Sequence, residues 1–250
     1  MHQAKVAIVV GGTGHIGKAL VTALYRSGCK VAVVARHKHS LEELTSLEPN
    51  SSSEVKIYQT DVADEIQFGE CLKEVKRDFG RVDHIVYTPG ITSEYFALAD
   101  CSTEVWRRTF DVYVTGFFVC FREGLKLIER GGHLVAISSA ITRFPSDLLP
   151  QVNAGEYAAA KAALDEFVRW ARREAHQNGL LLSRVAPGAI DTPFHQDAPA
   201  YRKPPAVLPL EVITNKIAEV LLTGQEVDLQ IVAEPKQVSQ PSVSTMIVAS

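Results

Sequence analysis

Tyr157 and Lys161 stand in the sequence Tyr-Ala-Ala-Ala-Lys. Residues four apart on a helix lie on the same face, so the phenol and the ammonium would project together. A phenol titrates near pH ~10 and exchanges protons poorly at neutrality, but a neighbouring cation favours the phenolate and lowers its pKa. The pair therefore predicts a proton donor for reduction of a carbonyl group. The same spacing occurs on many solvated helix faces, so the interpretation depends on the elements around it.

The first of these elements is a strand followed by a glycine-rich turn. Residues 5–10 form a short apolar run typical of a strand buried on both faces of a parallel sheet, and Gly-Gly-Thr-Gly-His-Ile-Gly follows it. Glycines let the backbone approach a pyrophosphate, and a helix N-terminus supplies free N–H groups. A tight turn without a ligand is the alternative, and three glycines at three-residue intervals disfavour it. The turn predicts a dinucleotide site formed by Gly11, Thr13, Gly14, His15, Ile16 and Gly17, with the His15 side chain directed away from the phosphates.

The end of the second strand, residues 30–35, bears on the choice of cofactor. A carboxylate at this position would hydrogen-bond the ribose 2′-hydroxyl of NAD, whereas a basic residue suits a 2′-phosphate. Arg36 and His37 follow Ala35, and the first carboxylate is Glu42. These residues favour NADP(H). We do not expect His37 to bind a metal ion, because the histidines of this turn lack a third ligand.

Three further strands carry polar or glycine residues just beyond their ends. Asp61-Val62 follows residues 55–59, Gly90 follows residues 82–87, and Ser138-Ser139 follow residues 133–137. Ligands of open α/β sheets bind beyond the carboxyl ends of the strands, so these residues would lie at the functional edge. Asp61 could accept a hydrogen bond from an adenine amino group, or it could cap the next helix; the residues alone leave both open.

Strands and helices alternate along the chain, which predicts an α/β fold: a doubly wound parallel sheet of the Rossmann type in a single domain. We assign this domain to residues 1–234, with an irregular substrate lid at about 194–210, where prolines are frequent. Residues 235–250 show no pattern and are expected to be disordered or to lie at a subunit interface.

Composition excludes several classes of partner. The chain has 250 residues, 46% of them hydrophobic, and a net charge of -3, which gives no reason to expect nucleic acid or an anionic membrane as partner. Its start runs directly into the first strand, so we expect neither a signal peptide nor a membrane span. The four cysteines are scattered without metal-ligand spacing. From these features we expect a cytoplasmic protein without a metal site.

In the order and spacing of these motifs the sequence resembles the short-chain dehydrogenase/reductase family over about residues 5–232. The resemblance rests on the glycine turn, Asp61-Val62, Ser138-Ser139, Tyr-x-x-x-Lys and Pro-Gly-x-Ile-x-Thr-Pro. It implies a seven-stranded sheet and hydride transfer between a nicotinamide cofactor and a carbonyl or alcohol. It also implies a homodimer or homotetramer, packed through helices near residues 116–129 and 157–177.

The resemblance also implies roles for individual residues. Tyr157 would be the acid/base, Lys161 would hold the nicotinamide ribose and lower the tyrosine pKa, and Ser139, with Ser138 as its neighbour, would hydrogen-bond the substrate oxygen. The nicotinamide would be lined by Pro187, Gly188, Ile190 and Thr192.

Three departures from the family pattern stand out. The glycines follow Gly-x-x-Gly-x-x-Gly, a spacing commoner in the extended and atypical branches of the family, and Tyr-Thr-Pro-Gly90 replaces Asn-Asn-Ala-Gly. Tyr113 occupies the position of the catalytic Asn, which ordinarily holds a water linked to the lysine. A phenol could still bind a water there, so we retain Tyr113 among the expected catalytic residues.

Three functions follow from these observations. The first is an NADP(H)-dependent oxidoreductase acting on a small apolar or aromatic carbonyl compound, suggested by the candidate pocket residues Phe144, Leu148, Leu149, Phe194 and Tyr201. The second is a non-catalytic NADP(H) sensor or scaffold, suggested by Tyr113 and the altered turn. The third, an epimerase or dehydratase of the extended branch, is disfavoured because only about 70 residues follow the start of the sixth strand, too few for a separate sugar-binding domain.

Overall fold

A computed structural model describes residues 3–37, 54–91, 97–143, 154–192 and 206–233, together with the backbone of residues 243–247. The strands in this part of the chain are β1 (Val6–Val10), β2 (Lys30–Ala35), β3 (Val55–Gln59), β4 (His84–Tyr87), β5 (His133–Ile137), β6 (Leu181–Pro187), β7 (Asp228–Ala233) and β8 (Val243–Ile247). The α-helices are α1 (His15–Arg26), α2 (Glu65–Phe79), α3 (Thr103–Phe110), α4 (Gly116–Leu127), α5 (Gly155–Gln177) and α6 (Leu210–Thr223).

The described strands form one sheet in the order β3-β2-β1-β4-β5-β6-β7-β8. The first seven are parallel, which confirms the predicted Rossmann-type α/β sheet. The chain runs outward from β1 to β3 and then returns to place β4 on the other side of β1. This reversal opens a crevice at the carboxyl ends of β1 and β4, where ligands of such sheets bind.

The eighth strand bears on the expectation for the C-terminal tail. The tail from residue 235 was expected to be disordered or to lie at a subunit interface; Val243–Ile247 pairs antiparallel with β7, so these residues are not disordered, and the interface stays a prediction. These residues form hydrogen bonds along the otherwise free edge of β7. No local sequence pattern predicts this pairing.

Helices cover both faces of the sheet. Alternate residues of β1 point to opposite sides, so that Ala7 and Val9 meet helices α1 and α6, while Ile8 and Val10 meet α2, α4 and α5. Both clusters are almost completely buried. Helix α5, which carries Tyr157 and Lys161, is thereby held against the sheet along its length. No helix among the described residues is both long and apolar enough to cross a membrane.

The junction between α3 and α4 is a π-helical turn, Asp111–Thr115. The Tyr87 hydroxyl donates a hydrogen bond to the Val112 carbonyl oxygen inside this turn. Gly116 begins α4 and packs against the same phenol, since a Cβ there would lie 2.3 Å from the Tyr87 oxygen. The sequence predicts a break in the helix near Val112, and the structure shows that this break is the π-helical turn. Such turns are frequent at functional sites, and this one carries Tyr113.

Candidate active site

Tyr157 and Ser139 meet across the carboxyl edge of the sheet. Tyr157 lies in the first turn of α5, and Ser139 follows β5 directly before a 3-10 helix, Ala140–Arg143. Burial raises the pKa of Tyr157, and the hydrogen bond from the Ser139 hydroxyl acts in the opposite direction. The net change is upward, which differs from the expected lowering by Lys161, because burial is the largest influence on this pKa. Tyr157 is therefore a protonated phenol at neutral pH, the form that a proton donor needs. The expected juxtaposition of these two residues is present.

Lys161 lies beside Tyr157, one turn along the same helix. Its ammonium donates a hydrogen bond of 2.7 Å to the Ile137 carbonyl oxygen and lies 5.7 Å from the centroid of the Tyr157 ring. The side chain is buried, and this burial lowers the pKa of Lys161 to about 7, although the charge of Asp165 opposes the change. Lys161 therefore gains or loses its proton near neutrality.

Tyr113 completes an aromatic wall of this site. Its ring meets the Tyr157 ring edge to face at 5.3 Å and lies 4.3 Å from the Lys161 ammonium. Its hydroxyl accepts from the Ile91 N–H and donates to the Ile91 carbonyl oxygen, each at 3.0 Å. The structure thus brings all four predicted catalytic residues together, and it directs the Tyr113 hydroxyl toward the loop after β4.

The glycine turn leaves an open approach to the start of α1. Gly14 is the N-cap of this helix, has no capping side chain and is followed by no acidic residue in the first turn. A Cβ at Gly14 would meet only the Gly11 carbonyl oxygen, at 3.4 Å, whereas one at Gly17 would lie 2.3 Å from that oxygen. Unsatisfied N–H groups without a nearby carboxylate fit a pyrophosphate. Thr13, His15 and Ile16 lie at this same opening and are partly or fully exposed.

Asp61 lies beyond β3, and its carboxylate has two partners. Arg108 donates from Nη2 to Oδ2 at 2.6 Å, and the Ala63 N–H donates to Oδ1 at 3.0 Å. Burial opposes ionisation, but these two bonds prevail and lower the pKa of Asp61. The helix cap is Asp64, whose side chain accepts from the Gln67 N–H. Asp61 is therefore an ionised carboxylate beside Val62 rather than a helix cap, as a hydrogen bond to an adenine amino group requires.

Arg36 and His37 lie exposed after β2, next to this edge of the sheet. The Gln59 side-chain amide donates to the Arg36 carbonyl oxygen at 3.0 Å, which ties the end of β2 to the end of β3. The Arg36 guanidinium makes no contact with a carboxylate among the described residues, since every ion pair in that part of the chain involves other cations. A basic group at this place fits the 2′-phosphate of NADP.

The segment after β6 leaves the carboxyl edge of the sheet and follows β7. The Gly188 N–H donates to the Ile231 carbonyl oxygen at 2.7 Å, and Ile190 bridges to Leu208. A Cβ at Gly188 would lie 3.3 Å from Val232, so the backbone here follows β7 closely. Thr192 is buried, and Pro187 ends β6. These residues lie at the carboxyl edge as predicted. The candidate pocket residues Phe144, Leu148, Leu149, Phe194 and Tyr201, and most of the predicted lid, lie outside the described residues.

Sequence reasoning missed two residues of this region. Asp165 lies one turn after Lys161 on α5, and Arg184 pairs with it from the middle of β6. A signal was present, because an arginine inside an apolar strand must have a buried carboxylate partner. Gly90 is placed as expected, exposed after β4, with the Tyr113 hydroxyl 3.3 Å from where its Cβ would be.

Comparisons with known proteins agree with this geometry. A model of the short chain dehydrogenase family matches residues 5–203. A short-chain type dehydrogenase/reductase of Picea abies is 32% identical over 198 residues, which cover 75% of this chain and 71% of the relative.

Two solved structures share the fold. The short-chain dehydrogenase/reductase from Serratia marcescens superposes with a TM-score of 0.83 at 24% identity, covering 92% of this chain and 97% of its own. The alcohol dehydrogenase of the archaeon Thermococcus sibiricus, complexed with 5-hydroxy-NADP, has a TM-score of 0.78 at 25% identity, covering 96% of this chain and 99% of its own.

The chain belongs to the short-chain dehydrogenase/reductase family. It is an oxidoreductase of that family, whose members bind a nicotinamide cofactor.

Proposed function

We propose that this chain is an NADP(H)-dependent oxidoreductase that reduces a small carbonyl compound or oxidises the matching alcohol. The observation that carries the proposal is the contact of Ser139, Tyr157 and Lys161: a hydrogen-bonded phenol and hydroxyl with a buried ammonium beside them. A non-catalytic sensor has no need for this arrangement. The phenol is protonated, so it is ready to donate in the reductive direction.

The residues at the carboxyl edge fit a nicotinamide dinucleotide. The uncapped start of α1 would hold the pyrophosphate, Asp61 with Val62 the adenine, and Pro187, Gly188, Ile190 and Thr192 the nicotinamide end. Arg36, with no carboxylate in the turn beside it, favours the 2′-phosphate of NADP. The bound cofactor supplies the hydride.

Each catalytic side chain then has one task. As the carbonyl oxygen gains negative charge, the Tyr157 hydroxyl delivers its proton to that oxygen and the Ser139 hydroxyl donates a hydrogen bond to it. Lys161 in its charged form stabilises the phenolate that remains on Tyr157. The Tyr113 ring faces Lys161 and excludes water from that side of the ammonium. An apolar or aromatic substrate remains part of the proposal, resting on the pocket residues expected from sequence.

Two measurements test the proposal. The first is equilibrium binding of NADPH and NADH by cofactor fluorescence. We expect tighter binding of NADPH, and Arg36→Asp should weaken it by roughly tenfold or more, because a charged hydrogen bond is lost and a repulsion introduced. Arg26→Asp makes the same charge change in the last turn of α1, away from this edge, and should leave binding unchanged. Preference for NADH would reject NADP specificity and leave the reductase assignment standing.

The second measurement is turnover of a panel of aldehydes and ketones with the preferred cofactor. Tyr157→Phe keeps the ring and removes the proton, so kcat should fall by roughly 10²–10⁴-fold with cofactor binding retained. Undiminished turnover would show that the proposed acid is wrong. Binding of neither cofactor by the wild-type protein would reject the enzyme assignment and favour the scaffold.

We also propose that the protein forms a homodimer or homotetramer through α4 and α5. Two large apolar side chains of these helices are exposed, Phe118 by 41% and Trp170 by 71%. They adjoin Phe121, Leu125 and Phe167 in one shallow depression, together with Arg122 and Glu174. Because the surface carries charges of both signs around an apolar centre, it is complementary to a second copy of itself across a twofold axis. The cytoplasmic location stays a prediction.

A further inference from the structure

Asp165 is tied to Arg184 by two parallel hydrogen bonds behind the catalytic residues. Nε of Arg184 donates to Oδ1 at 2.6 Å, and Nη2 donates to Oδ2 at 2.7 Å. Asp165 lies eight residues after Tyr157 and four after Lys161, so it follows them on one face of α5. The ion pair therefore joins the catalytic helix to β6.

The same carboxylate contacts a residue on each side of Ser139 in the chain, Ser138 and Thr142. The Ser138 hydroxyl donates to Oδ1 of Asp165, and the Thr142 hydroxyl lies 2.8 Å from Oδ2. The Thr142 hydroxyl is also within 3.0 Å of the Ser139 carbonyl oxygen, and the Ile141 N–H donates to Oγ of Ser139 at 3.3 Å. Asp165 thus holds both sides of the turn that presents the Ser139 hydroxyl to Tyr157.

Stability gives little reason for this arrangement. The Arg184 side chain is 2% exposed, and its Nη1 donates a further hydrogen bond to Asp228 at 2.7 Å. Removing an arginine and its carboxylate partners from water has a large free-energy cost. Proteins in which apolar side chains of similar volume replace a buried ion pair are therefore often equally stable. What charged and bidentate hydrogen bonds provide is a fixed geometry. Here that geometry relates the helix of Tyr157 to the turn of Ser139.

We propose that Asp165 is a positioning residue for the reaction: held by Arg184, it fixes the Ser139 turn relative to Tyr157 and Lys161. This inference rests on the proposed function, in which Ser139 and Tyr157 act on one oxygen atom. The negative charge of Asp165 also acts to raise the pKa of Tyr157 and of Lys161, in the second case against the larger effect of burial. Both effects require the carboxylate, so Asp165→Asn is the informative change.

A double-mutant cycle with Ser139→Ala tests the positioning. In the wild-type background Asp165→Asn should lower kcat by roughly tenfold to hundredfold, with cofactor affinity retained, because a small displacement of an aligned donor is costly. In the Ser139→Ala background the same change should cost much less, since the hydroxyl it positions is gone. Equal factors in both backgrounds would overturn the proposal in favour of a purely structural role.

Asp83→Asn is the matched control. Asp83 is a buried carboxylate paired with Arg81 at the opposite, amino edge of the sheet, where it also accepts from the Val6 N–H. Its loss should lower stability without changing kcat of the folded fraction. If Asp165→Asn does not fold, Thr142→Val removes the hydroxyl that contacts Asp165 and the Ser139 carbonyl oxygen, and it spares the ion pair. It should lower kcat by roughly threefold to tenfold in the wild-type background alone; an unchanged kcat would overturn the proposal.

A readout without turnover separates this inference from the proposed function. In the cofactor-free protein, NMR should show the amide resonances of Ser139 and Ile141 displaced by Asp165→Asn and unmoved by Asp83→Asn. The Lys161 titration, followed with lysine labelled at Cε and assigned with Lys161→Arg, should move to lower pH only in Asp165→Asn. Unmoved signals would reject the positioning role. A wild-type protein that reduces no carbonyl while these signals move would reject the proposed function alone.

Discussion

The Lys161 ammonium lies 4.3 Å from the centroid of the Tyr113 ring. Tyr113 stands where the family normally has an Asn, and its hydroxyl is bonded to the backbone of Ile91. It therefore meets the lysine with the face of its ring instead of a polar group. A cation over an aromatic face is stabilised by about 0.5–2 kcal/mol. The ring consequently supports the charged form of Lys161 against the burial that disfavours it.

Replacing Tyr113 by Leu should move the pH profile of the enzyme. Burial lowers the pKa of Lys161 to about 7, so kcat/KM for the cofactor, which reports the free enzyme, should fall above about pH 7 as the ammonium loses its proton. Without the ring the charged form is less stable, and this alkaline limb should move down by up to about one pH unit. Steady-state rates between pH 5 and 9 measure the shift.

Tyr113→Phe is the control for this change, because it keeps the ring and removes the hydroxyl that bonds to Ile91. Its alkaline limb should stay where the wild type has it. Lys161→Arg, whose guanidinium stays charged throughout this range, should lack the limb. A limb that persists in Lys161→Arg would assign it to another group.

Two buried histidines should make stability fall with acid. Burial lowers the pKa of His84 to about 3 and of His133 to about 4, from a usual value of 6.5. Below pH 6.5 the two histidines bind protons in the unfolded chain but stay neutral in the folded chain. Their contribution to the free energy of unfolding is therefore fully present above this pH. It is then lost at about 1.4 kcal/mol per pH unit for each histidine until pH falls to the folded pKa. Urea denaturation at pH 7.5, 6, 5 and 4.5 measures the slope.

His84→Leu should roughly halve that slope. Neither ring nitrogen of His84 has a hydrogen-bond partner among the described residues, whereas His133 lies 2.7 Å from the Ser183 hydroxyl. Replacing His84 by an apolar residue removes two unpaired polar atoms, so stability at pH 7.5 should be equal or higher. A slope unchanged in His84→Leu would show that other groups carry the acid sensitivity.

The two ends of the glycine turn should respond differently to alanine. A Cβ at Gly17 would lie 2.3 Å from the Gly11 carbonyl oxygen and 2.7 Å from Gly12 Cα, so α1 must move away from β1. Gly17→Ala should therefore destabilise the fold by roughly 1–3 kcal/mol, visible as a lower Tm. Gly14 has extended backbone and open space. Gly14→Ala should fold normally and weaken NADPH binding; equal losses of Tm in both would contradict this assignment.

Trp170→Glu should dissociate the oligomer. A charge at the centre of the apolar α4/α5 surface would be buried without a partner if two copies associated there. Leu222→Glu is the control, since Leu222 is 44% exposed on α6, which covers the opposite face of the sheet. Sedimentation should show a monomer for the first variant and the wild-type state for the second. A wild-type protein that is monomeric at micromolar concentration would reject the interface itself.

The inner parallel strands were predictable because they are buried on both faces. Such strands are nearly continuous apolar runs, and β2 and β5 have the bounds that the sequence predicts. The Tyr157 helix and the glycine turn followed from local spacing in the same way. Their meeting at one edge followed from parallel topology, since all these elements leave the carboxyl ends of strands.

Long-range partnerships were not predictable from local patterns. Asp165 and Arg184 lie 19 residues apart, and Arg108 and Asp61 lie 47 apart, so only the tertiary fold brings them together. Strand β8 likewise exists because β7 offers a free edge. The role of Tyr113 depended on where its ring and hydroxyl point. That direction is set by the π-helical turn; the sequence predicts a break near Val112 but not its π-helical form.

That turn also uncouples the length of the chain from its assembly surface. A π-helical turn holds one residue more than the α-helix continuing through it would need. Deleting a single residue from Asp111–Thr115 would therefore restore regular winding and leave the helix on either side in phase, so Phe118 would keep the surface that it shares with Trp170. The same deletion in a regular α-helix would rotate everything after it by about 100° about the helix axis. The turn is thus the place where this helix can lose one residue while the face that meets a neighbouring molecule stays the same.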